Sequence, residues 1–224
     1  SLFISLSLLG LFCAIYHPAG ISWVVNTSKE TGIALGFNNI FGGVGIGLGA
    51  FIAESLGKMG ANIILVARNV NKLQYTFSKL PKNSKNLIIP CDLEANDEIN
   101  EMCEKVKNHF QHLDIIMHIA GGGFGVKDAL PVYKDYIKVM HVNLFSIFEI
   151  NRNLLPILNK NEQSTIFHVG SIASYEALGS LSYNVAKVGL VAYVRSLARE
   201  LSGSKIIVNG IAPGAFECEG NAMY

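Results

Sequence analysis

Three side chains, Ser171, Tyr183 and Lys187, have the types and spacing needed to move a proton to or from an oxygen atom. Ser171 follows residues 166–169, a run of β-branched and aromatic residues that predicts a short buried strand. Tyr183 and Lys187 are four residues apart, so they share one face if residues 182–201 form a helix. A nearby ammonium lowers the pKa of a phenol from its ordinary value of about 10. The pattern therefore predicts a tyrosine acid–base site just beyond a strand, where α/β sheets carry their chemistry.

The spacing of a tyrosine and a lysine is a weak signal alone, because chance gives roughly half of one such pair in a chain of this composition. A second pair, Tyr75 and Lys79, follows no strand that ends in a serine, and we interpret it as a solvated helix face. The prediction for Tyr183 and Lys187 therefore depends on the strand and on Ser171.

The composition indicates one folded domain with a sizeable core. The chain has 224 residues, of which 50% are hydrophobic and 16% charged, and its net charge is +1. This balance gives no electrostatic basis for binding nucleic acid. The scattered histidines and the four cysteines lack the spacing of metal ligands or disulfides, so we expect no metal, reduced thiols and a cytoplasmic location.

The first 28 residues contain no charged side chain, and residues 2–16 are almost wholly apolar. This run is short for a membrane span and lacks the basic flank of a signal peptide. We interpret residues 1–31 as an apolar N-terminal extension and expect no membrane partner. A membrane or export segment and a misread upstream frame are the alternatives.

From residue 32 onward, apolar runs of strand length alternate with segments of helical periodicity. Such alternation predicts an α/β fold, a doubly wound parallel sheet with helices on both faces. The predicted strands are 33–41, 63–66, 87–89, 114–119, 166–169 and 206–208. The predicted helices are 50–59, 97–110, 133–158 with an interruption near Pro156, and 182–201.

A glycine-rich turn at residues 42–49 lies between the first predicted strand and helix. Backbone N–H groups at such a turn can hold a pyrophosphate. Several registers fit the spacing, and we prefer the one that gives this role to Gly43, Gly47, Leu48 and Gly49. About twenty residues further on, an NAD site usually has an acidic residue, but here Arg68 follows an alanine. An arginine suits the 2′-phosphate of NADP, whereas the alternative is an ordinary surface arginine.

Taken together, these residues resemble the short-chain dehydrogenase/reductase family in its single-domain branch, from about residue 32 to residue 214. The resemblance is carried by the glycine turn, the Ser171, Tyr183 and Lys187 set, and six further marks: Asp92, Ala120, Gly121, Asn143, Pro213 and Gly214. Within the family, the chain is most similar to 3-oxoacyl-carrier-protein reductases. The resemblance implies a Rossmann-type fold for residues 32–224. The chain stops at Tyr224, before the family's final strand, so we expect the sheet to lack its last strand.

The resemblance also implies a mechanism. Tyr183 would be the general acid/base, Lys187 would lower its pKa and hold the nicotinamide ribose, and Ser171 would hydrogen-bond the substrate oxygen. Asn143 would anchor a water, unless it is only a helix-interior asparagine bonded to a strand. The expected substrate is a small carbonyl compound or alcohol, and the expected assembly is a homo-oligomer.

The cofactor implied is NADP, with NAD as the alternative. Asp92 would contact the adenine, unless it is only a turn or cap residue. The backbone near Ala120 and Gly121 would border the cofactor, and Pro213 and Gly214 would lie close to the nicotinamide.

Two departures from the family pattern affect the functional prediction. Gly42 stands where the family usually has a threonine. The stretch that begins at His118 is normally Asn-Asn-Ala-Gly, so we expect this chain to lack polar side chains that tie the sheet together. We therefore expect an NADP-dependent carbonyl reductase or alcohol dehydrogenase. The alternatives are a catalytically poor nucleotide-binding or scaffolding member and a sugar-nucleotide epimerase or dehydratase.

Overall fold

Six strands form one parallel sheet in a computed structural model that describes residues 33–37, 44–82, 85–158 and 163–214. The strands are β1 (Ile33–Phe37), β2 (Asn62–Ala67), β3 (Leu87–Pro90), β4 (Ile115–His118), β5 (Ser164–Val169) and β6 (Ile206–Ile211). The main helices are α1 (Val44–Lys58), α2 (Val70–Ser78), α3 (Asn96–His109), α4 (Tyr133–Met140), α5 (Ser146–Leu154) and α6 (Leu181–Glu200). The predicted doubly wound α/β fold is confirmed.

The strand order β3-β2-β1-β4-β5-β6 reverses direction at β1. β1 pairs with β2 on one side and with β4 on the other, so the connections leave it towards opposite edges of the sheet. Such a reversal opens a crevice beyond the carboxyl ends of the strands, and dinucleotides bind in crevices of this kind.

The sheet carries an apolar layer on each face. Ile116 and Ile166 face one layer together with residues of α3 and α5, while Met117 and Phe167 face the other with residues of α1 and α2. Side chains on adjacent positions of a strand point to opposite faces, and here both faces are covered. This burial explains why the central strands are continuous apolar runs in the sequence.

The predicted bounds lie close to the observed ones, except that the sequence predicts no bounds for α2 beyond the helix face at Tyr75 and Lys79, and that α1 starts earlier than predicted. The helix begins at Val44, six residues before the predicted start, and includes Gly45, Gly47 and Gly49. A helical glycine costs about 1 kcal/mol relative to alanine, which favours a loop. Packing of the apolar side chains of α1 against the sheet overrides this local preference.

The long helical segment predicted for residues 133–158 is divided into several pieces. A π-helical turn, His141–Phe145, separates α4 from α5, and a 3₁₀ turn, Leu155–Ile157, contains Pro156 at the predicted interruption. Single π-helical turns often lie at functional sites, and this one carries Asn143.

The predicted N-terminal extension, residues 1–31, lies outside the described residues, as do Gly42 and Gly43. Among the helices of the described ranges, none has the length and hydropathy that a membrane span requires.

Candidate active site

Tyr183 and Lys187 lie in the first two turns of α6 and meet on one face of that helix. The Lys187 Nζ atom lies over the Tyr183 ring, 5.6 Å from the ring centroid. Lys187 is only 2% exposed, and its Nζ atom donates a hydrogen bond of 3.1 Å to the carbonyl oxygen of Val169. The helix therefore brings a phenol and a buried amine to the carboxyl end of β5.

Ser171 approaches the same phenol from the end of β5. It precedes the short 3₁₀ turn Ile172–Ser174, and its Oγ atom accepts a hydrogen bond of 3.1 Å from the amide of Ala173. Ser171 lies close enough to the Tyr183 phenol to lower its pKa. The structure thus brings together the three side chains that the sequence predicts to act as a unit.

Asn143 is fully buried and binds the backbone that follows β4. Its Oδ1 atom accepts from the amide of Gly122 at 3.0 Å, while Nδ2 donates to the carbonyl oxygens of Gly122 at 2.9 Å and Val139 at 2.8 Å. Both hydrogens of the amide group are therefore used. This geometry matches the structural alternative for Asn143, which ties the π-helical turn to the end of β4.

Gly121 lies where Asn143 and Lys187 converge. A Cβ atom at this position would lie 2.6 Å from Asn143 Oδ1 and 3.0 Å from Lys187 Nζ. The first distance is too short for a side chain and the second is tight, so the site needs glycine here to hold its amide and its amine at the end of β4.

The electrostatics of the site differ from the expectation for Tyr183. Burial raises the pKa of Tyr183, and the hydrogen bond with Ser171 opposes this rise only in part. Burial also lowers the pKa of Lys187 to about 8. The predicted lowering of the tyrosine pKa by Lys187 is therefore not found: removal of the phenol from water has the largest effect on this pKa, and the opposing effect comes from Ser171.

Arg68, at the end of β2, is engaged by two carboxylates. Its Nη1 atom lies 3.0 Å from Glu94 Oε1 and 3.5 Å from Asp92 Oδ2, and its side chain is 18% exposed. Arg68 is therefore a partly buried arginine held by two carboxylates. The sequence analysis missed Glu94, whose only signal was its place two residues after Asp92 at the end of a neighbouring strand.

Asp92 also has a local structural role. Its Oδ1 atom accepts from the amide of Glu94 at 3.0 Å, and its own amide donates to Glu98 Oε2 at 2.7 Å. Asp92 thus forms a turn after β3, as the structural alternative proposes, and it contributes a carboxylate to Arg68 as well.

The remaining predicted cofactor residues lie along the same edge of the sheet or next to it. Gly47, Leu48 and Gly49 belong to the first turns of α1, whereas Gly43 lies outside the described residues. Ala120 is buried after β4. The carbonyl oxygen of Pro213 accepts from the amide of Ile172 at 2.9 Å, which joins the end of β6 to the turn after Ser171. Gly214 follows it and is exposed.

A buried polar network that the sequence analysis did not predict lies beside this site. His118 on β4 stacks on His168 on β5, with ring centroids 4.9 Å apart. His118 Nε2 lies 2.7 Å from Asn151 Oδ1, and Asn151 Nδ2 lies 3.0 Å from the Tyr193 hydroxyl and 3.5 Å from His168 Nε2. His168 Nδ1 lies 3.3 Å from the carbonyl oxygen of Asn209. The predicted loss of polar ties at His118 is therefore wrong, because the histidine side chain ties the sheet to α5 and α6.

Each hydrogen bond of this network has one donor and one acceptor when both histidines are neutral. With Asn151 Oδ1 accepting and Nδ2 donating, His118 carries its proton on Nε2 and His168 carries its proton on Nδ1. Burial holds the pKa of His118 well below its usual value and lowers that of His168 to about 4.

Comparison with known proteins places this geometry among oxidoreductases. A family model described as short chain dehydrogenase matches residues 40–223. The chain is 31% identical over 177 residues to the rhamnolipids biosynthesis 3-oxoacyl-(acyl-carrier-protein) reductase of Pseudomonas aeruginosa, across 76% of this chain and 69% of that protein. It is also 31% identical over 180 residues to the 3-oxoacyl-(acyl-carrier-protein) reductase FabG of Escherichia coli, across 79% and 72% of the two chains. Among solved structures, the active-site complex of Pseudomonas aeruginosa RhlG with NADP has 29% identity and a TM-score of 0.74, across 86% and 76%.

Proposed function

The chain belongs to the short chain dehydrogenase family and is an NAD(P)-dependent oxidoreductase, and we propose that it is an NADP-dependent carbonyl reductase or alcohol dehydrogenase with Tyr183 as its acid/base. The observation that carries this proposal is the meeting of Ser171, Tyr183 and Lys187 at the carboxyl end of β5. A phenol, a hydroxyl and an amine brought close together are suited to protonating a carbonyl oxygen or deprotonating an alcohol.

The described residues fit a dinucleotide at this edge of the sheet. The strand order reverses between β1 and β4, and the backbone after β4 has no side chain at Gly121, where Asn143 and Lys187 leave no room for one. When bound, the nicotinamide supplies or accepts the hydride. Lys187 would hold the nicotinamide end, and Arg68 would face the ribose at the adenine end.

Tyr183 and Ser171 have different roles at the substrate oxygen. The Ser171 hydroxyl holds the carbonyl oxygen, and the Tyr183 hydroxyl donates its proton to that oxygen as it gains negative charge. Because burial raises the pKa of Tyr183, the phenol is protonated at neutral pH and is ready to act as an acid. Neutral pH therefore favours carbonyl reduction, whereas alcohol oxidation needs the phenolate and becomes faster at alkaline pH.

We infer that the substrate class to test first is a 3-oxo thioester, because the reductases of Pseudomonas aeruginosa and Escherichia coli described above carry that activity in their names. A homo-oligomeric assembly and a cytoplasmic location stay predictions.

The test is to titrate the purified chain with NADPH and then to follow NADPH absorbance with acetoacetyl thioesters and simple ketones. Saturable binding followed by steady oxidation of NADPH would support the proposal. Binding without turnover of any carbonyl compound would favour the nucleotide-binding alternative, and no binding of either nicotinamide cofactor would refute the proposal.

A further inference from the structure

We propose that Glu94 determines how strongly this protein prefers NADPH to NADH, an inference that rests on the proposed function. Glu94 binds two cations at once. Its Oε1 atom lies 3.0 Å from Arg68 Nη1, and its Oε2 atom lies 3.6 Å from the Nζ atom of Lys138 on α4. The guanidinium that would recognise the 2′-phosphate of NADP is therefore already in contact with a carboxylate.

The turn after β3 fixes Glu94 in this position. Asp92 Oδ1 accepts from the amide of Glu94 at 3.0 Å, and the other oxygen of Asp92 faces Arg68 at 3.5 Å. A short backbone turn thus places two carboxylates on the same guanidinium. Arg68 and Glu94 have mostly sheltered side chains, so bulk water screens their interaction less than it screens an exposed pair.

The charges of this cluster cancel. Arg68 and Lys138 contribute two positive charges, and Asp92 and Glu94 contribute two negative charges. His141, which faces both carboxylates from the turn after α4, adds no positive charge at neutral pH, because burial lowers its pKa below its usual value. A phosphate monoester carries a charge of about −1.5 to −2 at neutral pH. It would meet a cluster with no net positive charge.

The two cofactors differ in their sensitivity to this arrangement. The 2′-phosphate of NADPH is repelled by Glu94 and must compete with it for Arg68, whereas the 2′-hydroxyl of NADH carries no charge. Glu94 therefore weakens the binding of NADPH more than that of NADH. We infer that the protein has a smaller NADPH preference than Arg68 alone would give, and that the carboxylate of Glu94 is the cause.

The substitution that tests this inference is Glu94→Gln, which keeps the size of the side chain and removes its charge. We expect NADPH to bind about fivefold to tenfold more tightly, from the loss of one charge repulsion, and NADH to bind within about twofold of the original protein. Dissociation constants for both cofactors come from calorimetric titration, which needs no substrate. The matched control is Glu101→Gln, which removes the same charge from α3, where the exposed Glu101 carboxylate pairs with Lys105. It should leave both constants unchanged.

A second variant keeps the test decisive if Glu94→Gln unfolds. Lys138 has a side chain 43% exposed, so Lys138→Gln should fold, and it removes the cation that shares Glu94 with Arg68. The full carboxylate charge then acts near Arg68, and NADPH should bind several times more weakly while NADH is unaffected. An unchanged ratio of NADPH to NADH affinity in a folded Glu94→Gln or Lys138→Gln protein would overturn the role of Glu94 and leave the proposed function intact. If the original protein bound neither cofactor, the proposed function itself would fail.

Discussion

The Lys187 amine lies 5.6 Å from the centre of the Tyr183 ring and is almost completely buried, with the carbonyl oxygen of Val169 as its hydrogen-bond acceptor. A buried amine is a poor contributor to stability, because burial disfavours its charged form. Its retention at this position is explained by the proposed chemistry, in which a cation is needed beside the phenol and the nicotinamide ribose.

The first prediction is that Lys187→Met makes the protein more stable and less active. The folded pKa of Lys187 is about 8, below the ordinary value of 10.5, so burial of the ammonium costs stability at neutral pH. Replacement by an apolar side chain of similar length should raise the free energy of unfolding at pH 7 by about 1–3 kcal/mol, while turnover and NADPH affinity both fall. Denaturant titration and cofactor titration measure the two effects. The exposed Lys105→Met is the control, and a less stable Lys187→Met protein would count against this account of the site.

The second prediction concerns the space at Gly121. In Gly121→Ala, the new methyl group would lie 2.6 Å from Asn143 Oδ1 and 3.0 Å from Lys187 Nζ. Displacing these groups should cost about 1–3 kcal/mol of stability and most of the activity. Gly123→Ala is a matched control in the same loop, because among the described residues its methyl group would meet the Ser180 Oγ atom alone, at an ordinary 3.6 Å. Equal thermal stability of the two variants would show that the crowding at Gly121 does not exist.

The third prediction is a loss of stability in mild acid caused by His118 and His168. The pKa of His168 is lowered from 6.5 to about 4, and that of His118 is also lowered, so the unfolded chain binds more protons than the folded one. Stability is therefore fully present above about pH 6.5 and falls as the pH approaches 4, by up to about 1.4 kcal/mol per pH unit for each histidine.

Denaturant titrations between pH 7 and pH 4 measure this slope. His118→Asn should reduce it, whereas substitution of the exposed His112 by asparagine should leave it unchanged. A slope identical in the original protein and in His118→Asn would mean that His118 is not buried and neutral.

The fourth prediction is that Ser171→Ala moves the pH profile of alcohol oxidation. The hydrogen bond from Ser171 lowers the pKa of Tyr183, against the larger effect of burial. Its removal should raise that pKa further, so the rise of kcat/KM for oxidation with increasing pH should shift to more alkaline pH. Ser196→Ala, at the far end of α6, serves as the control. A profile that falls in rate without shifting would assign Ser171 to substrate binding alone.

The elements of the fold could be predicted from the sequence because their signals are local. The apolar runs of the strands and the four-residue spacing of Tyr183 and Lys187 each depend on neighbours along the chain. The start of α1 was missed, because glycines at 45, 47 and 49 favour a loop and only packing against the sheet overrides that preference.

The parts of the site that were missed depend on residues distant in the chain. Arg68 follows β2 and contacts Glu94, which follows β3. His118 lies on β4 and contacts Asn151 on α5. No periodicity encodes these contacts, since they exist only after the sheet has formed. The pKa of Tyr183 was mispredicted for a related reason, because its burial is a property of the folded protein.

The measurement that tests the central claim most directly compares Tyr183→Phe with Tyr75→Phe in the NADPH-dependent reduction of a carbonyl substrate. Both variants lose one phenolic hydroxyl from a tyrosine four residues before a lysine, but Tyr75 is 65% exposed on α2, next to Lys79 and away from the site. We predict that Tyr183→Phe lowers kcat by about 10²–10⁴-fold with NADPH affinity within a few fold, because only the proton donor is lost, and that Tyr75→Phe changes neither. A Tyr183→Phe protein that retains a kcat close to that of the original would contradict the assignment of Tyr183 as the acid/base.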